Sequence, residues 1–137
     1  MSDLKVIFLD FDGVLNSECC NDGVTLLPSK LELLRKLVDA TNARIVLSTS
    51  WREHWSKDPK QCDSTGATMD LIFNVHGLRI FDKTPMLPEG REAEIKAWLD
   101  QHSPENYVVL DDRLLGADFL NGHFVKTSNY FIREIFF

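Results

Sequence analysis

An apolar run of strand length leads directly into two carboxylates and a glycine in the segment Lys5-Val6-Ile7-Phe8-Leu9-Asp10-Phe11-Asp12-Gly13-Val14-Leu15. The run predicts a buried strand over residues 5–10 that is apolar on both faces, as in a parallel sheet. Asp10 and Asp12 lie two residues apart, so their side chains point to the same side. Gly13 allows the chain to turn sharply after them. The segment therefore predicts a carboxylate pair at the end of a buried strand.

The rest of the chain alternates short apolar segments with segments of helical periodicity. Helices are predicted from Ser29 to Ala40 with Ser29 and Glu32 as a capping box, near Trp51, and from Gly90 with Ile95, Trp98 and Leu99 facing inward. The pattern over residues 69–75 is ambiguous and favours a helix. Residues 58–66 are predicted as loop. Further strands are predicted over residues 44–48, 79–84, 107–110 and 123–125, the last at an edge. Helices between successive strands predict an α/β fold, with a central parallel sheet between two helical layers.

Length and composition predict one soluble domain over residues 1–137. A chain of 137 residues is long enough for one core, and no apolar run approaches the roughly 20 residues of a membrane span. The net charge of −6 disfavours nucleic-acid binding through the overall field but leaves a local basic site open. Cys19, Cys20 and Cys62 cannot all pair, which favours reduced thiols and a cytoplasmic location. The lack of a long apolar run favours a protein without membrane attachment.

Carboxylates also follow the predicted strand that ends near Leu110. If that strand neighbours the first one, Asp111 and Asp112 meet Asp10 at the same edge of the sheet, where ligands bind in open parallel sheets. Two such charges 4 Å apart repel by about 4 kcal/mol at an effective dielectric constant of 20, so the cluster needs protonation, separation or a cation. Oxygen ligands favour Mg²⁺. We expect Mg²⁺ at Asp10 and Asp111, with Asp112 and the backbone carbonyl of Asp12 as further ligands.

Three segments together resemble motifs of the haloacid dehalogenase (HAD) superfamily. They are Asp10-Phe11-Asp12-Gly13-Val14-Leu15, the hydroxyl-bearing end of the second strand, and Val109-Leu110-Asp111-Asp112. The resemblance covers residues 5 to about 127. The chain is similar in particular to the small HAD domain of bacterial RNA-repair-type proteins. Its segment Asp111-Asp112-Arg113 also resembles the corresponding segment of polynucleotide 3′-phosphatases. The resemblance implies a Rossmann-like fold and a phosphatase.

The resemblance also implies roles for individual residues. Asp10 would attack phosphorus and become an aspartyl phosphate, and Asp12 would act as general acid and base. Thr49 and Ser50 are expected to bind the phosphoryl oxygens, with Ser48 as the next choice. Arg52 faces either a phosphate or the surface, and we include it among the substrate-binding candidates.

The cation that would stabilise the aspartyl phosphate has two candidates. Arg91 opens the helix before the fourth strand and lies 20 residues before Asp111. Lys83 lies 28 residues before Asp111 and is the alternative. The sequence favours Arg91 and leaves Lys83 open.

The connections are too short for a cap domain. Residues 16–28 hold a flap at most and residues 85–90 a turn, so we expect a capless, open site that suits extended substrates. We expect a Mg²⁺-dependent phosphomonoester hydrolase, with nucleic-acid ends or nucleotides as its substrates. The alternatives are a catalytically silent HAD-fold binding or regulatory module and a phosphotransferase. The aromatic C-terminus, residues 130–137, either packs on the core or mediates weak self-association, so a monomer and a weak homo-oligomer both remain open.

Overall fold

The computed structural model describes residues 3–11, 26–111 and 115–126. Asp12, Asp112, Arg113, Cys19, Cys20 and the aromatic C-terminus lie outside these residues. Five strands are described: β1 Lys5–Leu9, β2 Arg44–Leu47, β3 Ile80–Lys83, β4 Asn106–Asp111 and β5 Phe124–Lys126. The α-helices are α1 Pro28–Thr41, α2 Ser64–Val75 and α3 Arg91–His102, and three 3₁₀ helices span Ser50–His54, Pro59–Gln61 and Asp118–Leu120.

All neighbouring strands pair in parallel, in the order β3-β2-β1-β4-β5. Parallel neighbours need a crossover connection, and α1 supplies it between β1 and β2, α2 between β2 and β3, and α3 between β3 and β4. The strand β1 is central, because β2 and β4 flank it. The carboxyl ends of β2, β1 and β4 therefore lie side by side at one edge of the sheet.

The sheet buries both of its faces, and alternate residues of β1 face opposite layers. Ile7 and Leu9 belong to one core cluster, which includes buried side chains of α1 and α2. Val6 and Phe8 belong to the second cluster, which contains Trp98 of α3. Helices thus cover the sheet on both sides, which confirms the predicted three-layer Rossmann-like α/β fold.

The helix α1 begins differently from the sequence prediction. Its N-cap is Leu27, which makes no side-chain capping hydrogen bond, and Pro28 is its first residue. The predicted capping box of Ser29 and Glu32 is therefore wrong. Proline has a backbone φ that already suits a helix and lacks an N–H to satisfy, so it can start α1 one residue earlier.

The segment predicted as loop, residues 58–66, contains the 3₁₀ helix Pro59–Gln61 and the first turn of α2. Asp63 caps α2 by accepting a hydrogen bond from the N–H of Gly66 at 2.9 Å. Gly66 serves packing here, because a Cβ at this position would lie 1.9 Å from the carbonyl oxygen of His54. A glycine in a polar segment suggests a turn in the sequence, whereas here it permits close contact between two helices.

Two observations bear on insertions and membrane segments. The connection between β3 and α3, residues 84–90, contains neither a helix nor a strand. Among residues 3–11, 26–111 and 115–126, no helix combines the length and the hydrophobicity that crossing a membrane requires.

Candidate active site

Two buried carboxylates lie at the ends of the two central strands. Asp10 directly follows β1, and its N–H donates to the carbonyl of Leu110 at 3.1 Å. Asp111 ends β4, one residue after Leu110, which is in register with Leu9. Asp10 is 5% exposed and Asp111 is fully buried. The parallel register of β1 and β4 therefore brings these acids to one point, as the sequence predicted for neighbouring strands.

Arg91, the first residue of α3, lies between the two acids. Its Nη1 is 2.7 Å from Asp111 Oδ2 and 3.2 Å from Asp10 Oδ2. The Arg91 side chain is itself only 10% exposed. Two carboxylates and one guanidinium leave a formal charge of −1 in this trio.

The electrostatics of Arg91 follow from this contact. Burial by itself lowers the pKa of the guanidinium, but the charges of Asp10 and Asp111 and the hydrogen bonds to them raise the pKa above its ordinary value overall. Arg91 Nε is buried and has no hydrogen-bond partner among the described residues. Arg91 therefore stays positively charged, and its buried Nε–H is a donor that no described residue accepts from.

Gly90 sets the start of α3. It is the N-cap residue, with a φ of 103°, a backbone conformation that favours glycine. A Cβ at Gly90 would meet no atom within 4 Å, so the requirement for glycine is conformational rather than steric. This turn places Arg91 at the beginning of the helix, beside the strand ends.

Lys83, the alternative to Arg91, points elsewhere. Its Nζ donates to the backbone carbonyls of Trp55 at 2.5 Å and Arg52 at 3.2 Å. Lys83 thus holds the 3₁₀ helix Ser50–His54 against β3. The structure brings Arg91, and not Lys83, to the carboxylates.

The hydroxyl side chains after β2 have three different environments. Ser48 is fully buried, its N–H donates to Leu9 at 3.1 Å, and its Oγ has no partner among the described residues. Thr49 is also fully buried, and its Oγ1 accepts from the N–H of Trp51 at 3.3 Å as the N-cap of the 3₁₀ helix. Ser50 is exposed and is the first residue of that helix. The buried hydroxyl that lacks a partner therefore belongs to Ser48, the second choice of the sequence analysis.

The backbone after β2 also offers donors. No hydrogen bond from the N–H of Thr49 or Ser50 is found within the described ranges. Unpaired backbone N–H groups beside a buried hydroxyl are a suitable arrangement for phosphoryl oxygens. The predicted roles of Thr49 and Ser50 in substrate binding therefore rest on their backbone more than on their side chains.

The Arg52 side chain is turned into the protein. It is 2% exposed, and its guanidinium donates to four backbone carbonyls and to a carboxylate of α3. A guanidinium has five N–H donors, and all five are engaged here. Burial lowers the pKa of Arg52, and the charge of Glu94 partly counteracts this. This geometry does not support the direct substrate contact that we expected, because no donor remains for a phosphate.

Comparison with known proteins identifies the family. A family model described as the HAD domain in Swiss Army Knife RNA repair proteins matches residues 6–131, nearly the whole chain. The chain belongs to this HAD family. The resemblance to RNA-repair-type HAD domains is thereby confirmed. No curated protein and no solved structure matches the chain significantly.

The donor set of this HAD domain can be tested for a fit to Mg²⁺. Within the part of the chain that the structure describes, no group of three or more His, Cys, Asp or Glu side chains could hold a metal ion. Asp10 and Asp111 supply two hard carboxylate oxygens at one point and a formal charge of −1 remains after Arg91 is counted. Mg²⁺ retains several waters and uses one or two carboxylates, so this pair fits the ion. Asp12 and Asp112, the other predicted ligands, lie outside the described residues.

Proposed function

We propose that this chain is a Mg²⁺-dependent phosphomonoester hydrolase that forms an aspartyl phosphate on Asp10. The single observation that carries the proposal is the buried trio of Asp10, Asp111 and Arg91 at the ends of the two central strands. Buried charges are costly unless they are paired and hydrogen-bonded, and a buried cluster of ionisable groups with a perturbed pKa is a candidate for a functional site. Membership of the HAD family supports the same conclusion.

In the first step, a carboxylate oxygen of Asp10 attacks phosphorus and the bond from phosphorus to the ester oxygen breaks. Asp12, in the role that the HAD resemblance implies, gives its proton to the departing oxygen. In the second step, water attacks phosphorus and gives a proton to Asp12, and the bond from phosphorus to Asp10 breaks. Inorganic phosphate leaves and both carboxyl groups return to their starting states.

The other residues stabilise charge during these steps. Arg91 supplies a fixed positive charge beside Asp10, where the phosphoryl oxygens approach. The Ser48 hydroxyl and the N–H groups of Thr49 and Ser50 would donate hydrogen bonds to those oxygens. Ser48 is included because its buried Oγ has no partner in the described part of the chain, and a buried hydroxyl without a partner costs free energy unless a ligand satisfies it.

Asp10 and Asp111 would hold Mg²⁺, with Asp112 and the carbonyl of Asp12 as the further predicted ligands. When bound, the ion offsets the repulsion between the attacking carboxylate and the phosphoryl group. Asp111 would orient both the ion and Arg91, since it contacts Arg91 at 2.7 Å.

For the substrate, we propose a phosphate at a nucleic-acid end or on a nucleotide. The matched family is described as the HAD domain in Swiss Army Knife RNA repair proteins, and this description supports a substrate related to nucleic acid. The connection of residues 84–90 contains no inserted cap, which supports an open site that can accept the end of a long chain.

A panel of phosphate esters tests the proposal. It contains 3′- and 5′-phosphorylated RNA and DNA oligonucleotides, nucleotides, sugar phosphates and p-nitrophenyl phosphate, each with MgCl₂ or with EDTA. We expect release of phosphate with MgCl₂, its loss with EDTA, and the highest rates on oligonucleotide or nucleotide phosphates. The Asp10→Asn variant should be inactive, and activity retained in that variant would remove Asp10 as the nucleophile.

A second candidate is a catalytically silent HAD-fold module. One observation favours it: Arg91 already compensates part of the charge of Asp10 and Asp111 without a metal. The same panel separates the two functions, because the silent module would bind Mg²⁺, measured by calorimetry, without hydrolysing any ester.

A further inference from the structure

A buried ion pair ties three segments around the candidate site together. Arg52 Nη2 lies 2.8 Å from Glu94 Oε2, and the two side chains are 3% and 9% exposed. The other donors of Arg52 contact backbone carbonyls from two loops: Ser48 at 3.3 Å, Thr49 at 2.8 Å, Thr84 at 3.0 Å and Pro85 at 3.1 Å. One side chain thus connects the turn after β2, the turn after β3 and α3.

Glu94 extends the connection to Arg91. Its Oε2 also accepts from the N–H of Leu87 at 2.9 Å, which fixes the loop between β3 and α3. Its own N–H donates to Gly90 at 3.0 Å in the first turn of α3. Glu94 therefore lies one turn after Arg91 on the same helix, and a shift of Glu94 would displace Arg91.

Arg52 also fixes the direction of two peptide groups. The described chain contains no cis peptide bond, and in a trans peptide the N–H points opposite to the preceding carbonyl. Because Arg52 holds the carbonyls of Ser48 and Thr49, the N–H groups of Thr49 and Ser50 point away from the guanidinium. Arg52 thus fixes the orientation of both peptide groups, and with it the direction of these two N–H donors.

We propose that Arg52 and Glu94 form a clamp that positions Ser48 and its following N–H groups on one side of the phosphoryl site and Arg91 on the other. Both are positioning residues, and neither contacts the substrate. The inference rests on the proposed function. The clamp would set the distance between Arg91 and the hydrogen-bond donors that follow β2, which bind the phosphoryl group from its two sides. A buried ion pair is weak evidence for a purely stabilising role, since apolar residues of the same volume often stabilise as well.

The test separates positioning from stability by comparing single and double variants. Arg52→Gln and Glu94→Gln each leave one charge buried without its partner, so both should lower the melting temperature and the kcat for p-nitrophenyl phosphate. The double variant removes both charges, while the Gln side chain at position 94 can still accept from the N–H of Leu87. We expect its melting temperature to exceed that of either single variant.

The kcat of the double variant should stay at least tenfold below that of the wild type, because the carbonyls of Ser48 and Thr49 have lost the guanidinium nitrogen that holds both of them. The control is Trp55→Phe, which removes the 2.8 Å hydrogen bond from Trp55 Nε1 to Asp70. We expect this control to melt earlier but to keep kcat within twofold, measured well below its melting temperature. A kcat in the double variant that recovers together with stability would overturn the inference.

A readout without turnover distinguishes this inference from the proposed function. Amide hydrogen exchange over residues 48–51 and 86–91 reports directly on the clamp, and we expect both segments to exchange faster in the double variant and to remain unchanged in Trp55→Phe. If the wild type hydrolyses no ester, the proposed function fails, and the role of the clamp in positioning phosphate fails with it. This holds even if both segments exchange faster in the double variant and so show that the clamp connects them. If the wild type is active and only one of the two segments responds, the clamp alone is refuted.

Discussion

Replacing Arg91 with Met removes the cation that lies between two buried carboxylates. At about 3 Å and an effective dielectric constant of 20, each contact is worth about 5 kcal/mol of gross attraction. The desolvation of the guanidinium offsets much of this, and removing one partner from a buried ion pair costs about 3–5 kcal/mol. Domains of this size have a total stability of about 5–15 kcal/mol. Arg91→Met should therefore lose a large part of the free energy of unfolding.

The loss converts into a measurable change in melting temperature. With an unfolding entropy of about 2.1 cal/mol/K per residue, 1 kcal/mol corresponds to about 3.5 °C in a chain of this length. We expect Arg91→Met to melt about 10–17 °C below the wild type in the absence of metal. Because the variant carries excess negative charge at the site, MgCl₂ should stabilise it more than it stabilises the wild type. Mg²⁺ at 100 times its Kd would add about 2.7 kcal/mol to the free energy of unfolding.

Thermal denaturation gives the melting temperature and urea denaturation the free energy of unfolding, each at pH 7 with EDTA and with MgCl₂ at constant ionic strength. Arg35→Met is the matched control, because Arg35 pairs with Asp39 at 3.6 Å with both side chains at least half exposed. Such a surface pair contributes about 0.5 kcal/mol, and its removal should show no specific response to MgCl₂. The reasoning is refuted if Arg91→Met is as stable as the Arg35 variant, or if both respond equally to MgCl₂.

Three further substitutions test the surroundings of the site. Ser48→Ala removes a buried hydroxyl that has no partner among the described residues, so its free energy of unfolding should be unchanged or up to about 1 kcal/mol higher. Its kcat/KM should fall about tenfold or more. A variant that is destabilised but fully active would contradict this. Hydrogen bonds from the Gly66 N–H and with His54 lower the pKa of Asp63 below its ordinary value of about 3.9. The charge of Asp63 therefore stabilises the fold above that pH and loses this effect as the pH falls through the lowered pKa. Asp63→Asn retains a capping side chain, so in urea denaturation its stability deficit should be present at pH 6 and shrink towards pH 3, and a deficit that is constant with pH would count against the idea. Gly66→Ala would place a Cβ 1.9 Å from the carbonyl oxygen of His54, and should cost about 2–3 kcal/mol in the same measurement; an unchanged midpoint would show that the two helices separate freely.

The sequence by itself predicted the fold class, and it predicted that the acids meet at one edge of the sheet on the condition that β1 and β4 are neighbours. The alternation of apolar strand segments with helical periodicity requires crossover connections, and these produce a parallel sheet. Once β1 and β4 are neighbours, Asp10 and Asp111 must lie at the same edge, because both follow strands that run in the same direction. Local pattern and chain order predict the parallel sheet, whereas the pairing of β1 with β4 is a property of the tertiary structure.

Only the tertiary structure decided which side chains take part. Arg91 and Lys83 are both cations ahead of β4, yet Arg91 contacts Asp111 across 20 residues while Lys83 binds carbonyls 28 and 31 residues earlier in the chain. Arg52 follows a polar turn and reads as a surface or substrate-binding residue, but its partners at Thr84 and Glu94 turn it into the interior. The direction of a long cationic side chain depends on which carbonyl and carboxylate acceptors from distant segments lie nearby. The hydrophobic periodicity of the sequence contains no information about those acceptors. For the same reason, the lack of a partner for the Ser48 hydroxyl became apparent only when the neighbouring segments were in place.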